Sequence, residues 1–140
     1  MKAVVRKVAH RVGHRGSLLI LLGSIALLYG ISLITTPPGP NPPGLRLLLG
    51  WMPLHAWGVT LAAAGAIAVL CSPVGQGGDW PGFAALTLAW LPWSLSFFVS
   101  WWPQGSNPRG WVSGCVFIAL ALIPAVCATW TEPQRARSTR

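Results

Sequence analysis

The chain has 140 residues, of which 9% are charged, against about 25% in a soluble domain, and its mean hydropathy is +0.57. That composition excludes a water-soluble globule, which would lack the polar surface to cover itself. The formal charge of +8 does not form a nucleic-acid patch. Lys2, Arg6, Lys7, Arg11, Arg15, Arg135, Arg137 and Arg140 lie at the two ends beside apolar runs, where the expected partner is the anionic headgroup layer of a membrane.

Residues 1–16 are a basic amphipathic segment. Lys2, Arg6, His10 and His14 follow steps of four, as do Lys7, Arg11 and Arg15, with Val5, Val8 and Val12 on the opposite side. This spacing fits a short helix lying among headgroups. Because valine is a modest helix former, a basic tail that only sets orientation fits equally well.

The first span is expected over 17–35, where Leu and Ile fill eleven of the eighteen positions from Ser17 to Ile34. The run is longer than the apolar core of a signal peptide, and Ile34-Thr35-Thr36-Pro37 offers no A-x-A-like cleavage site, so it reads as a retained anchor. Thr36 to Gly44 contains Pro37, Pro38, Pro40, Pro42 and Pro43, which remove backbone donors and make a stiff extended connector. Leu45 to Gly50 reads as a brief interfacial turn, with Arg46 reaching toward headgroups.

The second span is expected over 53–72. It is rich in alanine, so lipid alone favours it weakly and its stability depends on neighbouring helices. Gly58, Ala62, Gly65 and Val69 follow steps of four, three and four, a smooth stripe where another backbone can approach closely. Gly58, Ala62 and Ala66 give a second version of the same groove. The third span, 82–102, carries Pro92, expected to kink it, and Ser94, Ser96 and Ser100, able to bond freed carbonyls or a neighbouring helix. The fourth span, 110–130, carries Pro124 near its end, and residues 131–140 form a basic tail.

The fold class is therefore all-α: four antiparallel transmembrane helices and a short basic amphipathic N-terminal helix. With four spans, the side holding both termini carries the eight cations named above, and the other carries only Arg46 and Arg109. Positive charge is retained on the cytoplasmic side, so both termini are expected in the cytoplasm and the chain in the cytoplasmic membrane. Trp51, Trp57, Trp101, Trp102 and Trp111 then form an outer aromatic belt, with Trp80 and Trp130 at the inner interface.

The chemistry-bearing residues are few. No acidic or basic side chain lies within the four expected spans, and Asp79 and Glu132 fall at the cytoplasmic edge. Proton-coupled carriers and voltage sensors need such groups at depth. His55 reads as an interfacial histidine. Cys71, Cys115 and Cys127 lack metal or redox spacing and read as packing residues. Ser113-Gly114-Cys115 does not meet the nucleophile pattern and reads as a helix contact. The expectation is a non-enzyme without cofactor or metal, acting through helix association and lipid contact, with a further copy of itself or another membrane protein as the partner the stripe would admit.

In its short length, several apolar spans and charged tail Arg135-Ala136-Arg137-Ser138-Thr139-Arg140, the chain resembles the small polytopic membrane proteins of high-GC bacteria and their phages. Within that group it is similar to holins. This likeness is one of layout, with no residue motif to transfer, and it departs from the commoner two- or three-span holins. It implies a protein that accumulates in the cytoplasmic membrane and opens it. A small transporter subunit is the remaining alternative.

Overall fold

A computed structural model describes residues 13–37, 43–74 and 77–130. The segments expected to form the amphipathic N-terminal helix and the basic tail lie mostly outside them, as do Lys2, Arg6, Lys7, Arg11, Arg135, Arg137 and Arg140. The described residues are all-helical: α1 (His14–Thr35), a 3-10 turn (Pro43–Leu45), α2 (Arg46–Trp51), α3 (Leu54–Cys71), α4 (Trp80–Trp101) and α5 (Gly110–Ala128). Helices α1, α3, α4 and α5 are each long and apolar enough to cross a membrane. The 18 residues of α3 rise about 27 Å, close to the hydrocarbon thickness of a bilayer.

The helix boundaries follow local chemistry. Pro53 precedes α3, and Pro81 occupies the first turn of α4, where a missing N–H costs nothing. Pro92 lies inside α4 and Pro124 inside α5. Neither ends its helix. Helix α1 begins three residues before the expected span and so takes Arg15 into its first turn. Where the sequence suggests a brief interfacial turn, the chain forms the 3-10 turn and α2 instead, and both pack against α4.

Two antiparallel pairs make the bundle, α1 with α3 and α4 with α5, and α3 against α4 joins them. The core runs between the pairs through Leu19, Ala26, Leu61, Ala68, Leu86, Trp90, Trp93 and Ala121. The distribution of polarity is inverted relative to a soluble protein. Ser94, Ser96 and Ser100 are at most 2% exposed, whereas Leu28, Leu70 and Leu88 are at least 67% exposed. Such a surface suits hydrocarbon, in which inward polar groups find protein partners and outward leucines meet lipid tails. The chain is a small multi-pass membrane protein.

Candidate functional site

The closest helix contact is a reciprocal glycine crossing. A Cβ added at Gly65 would lie 2.5 Å from Leu27 N and nearer still to Gly23 O, and one at Gly58 would lie 2.8 Å from Gly30 O. From the other side, a Cβ at Gly30 would lie 2.5 Å from Ala62 N and 2.5 Å from Gly58 O, and one at Gly23 would meet Gly65 O at 2.9 Å and Val69 Cγ2 at 3.0 Å. The stripe of Gly58, Ala62, Gly65 and Val69 is thus occupied within the chain, by α1. The sequence reading marks the stripe on α3 alone. Its counterpart, Gly23 and Gly30, is spaced by seven residues and falls on one face of α1.

On the second pair, side-chain hydroxyls bond across the interface. Ser94 Oγ donates to Gly114 O at 3.2 Å and Thr87 Oγ1 to Ala121 O at 3.0 Å. Ser96 Oγ donates to Gly44 O at 2.6 Å, which fastens the 3-10 turn to α4, and Ser100 Oγ donates to Phe97 O within its own helix. Gly114, between Ser113 and Cys115, faces the Phe98 ring, so its role is close packing.

The end of the bundle where α1 begins holds a buried ion pair. Arg15 Nε donates to Asp79 Oδ2 at 2.8 Å and Nη2 to Asp79 Oδ1 at 3.0 Å, while Nη1 donates to Trp130 O. The guanidinium carbon also sits 5.3 Å from the centroid of the Phe83 ring. Arg15 is 8% exposed and Asp79 2%. Arg15, expected among the headgroups, and Asp79, expected at the cytoplasmic edge, are thus partners within the chain. The two charges match in a bidentate geometry that satisfies both, which lets them leave water together.

Trp57 differs from the other tryptophans of the expected outer belt. Its place near the end of α3 suggests an interfacial anchor, yet it is buried, and its indole Nε1 donates to Leu48 O at 2.9 Å. Trp51, Trp101, Trp102 and Trp111 are exposed at that end, and Trp80 and Trp130 at the other. Between the two ends, Tyr29, Trp90, Trp93 and Phe117 form an aromatic cluster with ring centroids 5.5–6.4 Å apart. Trp93 Nε1 is buried there without a hydrogen-bond partner among the described residues.

His55 is exposed on α3, Cys115 is exposed on α5, and Cys127 is buried. Among the described residues no group of three or more His, Cys, Asp or Glu side chains could hold a metal ion. What the arrangement does chemically is join helices. No protein-family model, curated protein or solved structure matches the chain.

Proposed function

We propose that this protein is a non-catalytic component of the cytoplasmic membrane that acts through helix association and lipid contact, with both ends of the chain in the cytoplasm. The observation that carries this reading is the use of polar side chains inside the bundle. Ser94, Ser96, Thr87, Arg15 and Asp79 are spent on bonds that hold its own elements together, which leaves apolar outer faces for lipid or a membrane partner. The orientation is supported by charge. With Arg15 left out because Asp79 neutralises it, seven cations still flank the end where α1 begins and α5 finishes, against Arg46 and Arg109 at the other. Anionic lipids of the inner leaflet are the partners such a distribution attracts.

Topology reporters test the orientation. Alkaline phosphatase is expected to be active when fused after Asn41 and inactive when fused after Gln76, with a fluorescent protein giving the opposite pattern. The same activity at both points would overturn it. Induced expression with a membrane-potential dye tests the role, and an unchanged potential at high membrane levels is the expected result. Sudden depolarisation after a delay would replace this reading with a holin-like one, in which several copies would have to open their interfaces to line a lesion.

A further inference from the structure

Among the described residues, the end of the bundle opposite the Arg15–Asp79 pair carries Arg46 and Arg109 and no acid. The chain contains two acidic residues in all, Asp79 and Glu132. Asp79 is held by Arg15. Glu132 lies outside the described residues. The 19 residues of α5 separate the two ends by about 28 Å. Among the described residues Arg46 is exposed and forms no ion pair, so its charge is open to a ligand from outside.

Arg46 lines a groove of about 510 Å³ together with Pro43, Leu49 and Ser106. Its walls are fixed on both sides. The Gly44 carbonyl accepts from Ser96 Oγ, and Gly44 packs directly on the Phe97 ring. On the loop side, Ser106 Oγ donates to Ser100 O at 3.2 Å, and Asn107 N donates to the same carbonyl at 3.1 Å. Exposed Trp51, Trp101 and Trp102 at this end place the groove at headgroup depth. It thus offers a guanidinium beside two apolar residues, where a bilayer changes from phosphate to hydrocarbon.

We propose that this groove binds the phosphate of a membrane amphiphile, with Arg46 as its counter-ion and Pro43 and Leu49 against the first carbons of its chains. Guanidinium is suited to this role because its N–H fork matches phosphate oxygens. The proposal rests on the chain being a membrane protein and is independent of the orientation and role proposed above.

The test is a titration of the purified full chain in detergent, followed by native mass spectrometry. Three probes are used: dihexanoyl phosphatidylglycerol, dihexanoylglycerol and inorganic phosphate. Saturable binding of one phosphatidylglycerol is expected, weakened about tenfold by Arg46→Gln, the loss of one charge-assisted contact. Leu49→Glu should weaken it as well, and Arg109→Gln, which removes the same net charge, should leave it unchanged. Equal loss in Arg46→Gln and Arg109→Gln would mean diffuse surface charge and overturn the groove. Binding of dihexanoylglycerol as tight as that of the phospholipid would overturn the phosphate, and inorganic phosphate binding as tightly as the lipid would overturn the amphiphile. Helical circular dichroism of each variant in detergent reports the fold separately.

Discussion

Replacing Gly65 with leucine is expected to part α1 from α3 and leave little folded bundle. The obstacle to a side chain here is backbone. A Cβ at this position already stands 2.5 Å from Leu27 N and 3.0 Å from Leu27 Cα, and no rotamer change on α1 can move those atoms aside. Overpacking a core usually costs about 1–3 kcal/mol because side chains yield. With the opposing main chain in the way, Gly65→Leu should exceed about 3 kcal/mol, and Gly65→Ala should show an intermediate loss. Unfolding by SDS in mixed micelles measures both. Gly50→Ala serves as the control, because nothing lies within 4 Å of a Cβ there, and it should leave the transition in place. A Gly65→Leu protein unfolding at the wild-type detergent fraction would show that the two backbones do not cross at this point.

Asp79→Asn should be nearly as damaging, although it changes only one side-chain oxygen to an amide. It takes the Asp79 carboxylate away from buried Arg15, whose other partners include the Trp130 carbonyl and the Phe83 ring. Removing one partner of a buried ion pair costs about 3–5 kcal/mol, mostly from the charge left behind. Arg15→Gln should cost a similar amount by leaving the carboxylate. The double variant has no stranded charge and should recover part of the loss, with a coupling of about 2 kcal/mol between the two sites. The same SDS titration supplies all four corners of the cycle. Strict additivity would mean that the two groups do not act as a pair.

The four spans could be read from the sequence because lipid imposes length and composition on a helix whatever its neighbours are. Charged residues mark the gaps, and Trp51, Trp101, Trp102 and Trp111 mark one interface. Facing is harder to read than depth. Trp57 lies near the belt in sequence yet turns into the core to meet Leu48 O, and no pattern of tryptophans distinguishes the two orientations. The glycine stripe on α3 is visible as spacing, whereas its partner could have been a second copy or any other helix. Only the placement of Gly23 and Gly30 against it decides for α1. The Arg15–Asp79 pair joins residues 64 apart in the chain. In sequence, Arg15 looks like one more cation in a basic run and Asp79 like one loop acid among glycines.

The pair also has a consequence in time. Arg15 is synthesised 64 residues before Asp79 and 115 residues before Trp130. At about 5–20 residues per second, it precedes Trp130 by roughly 6 to 23 s. Once the first helix has left the ribosome, it carries a cation in its opening turn before Asp79 and Trp130 have both been made. Water and lipid phosphates are open to the guanidinium until α4 and then α5 arrive. The first helix to enter the membrane is therefore among the last to take its final seat, and the depth at which it settles is decided by the carboxyl-terminal half of the chain.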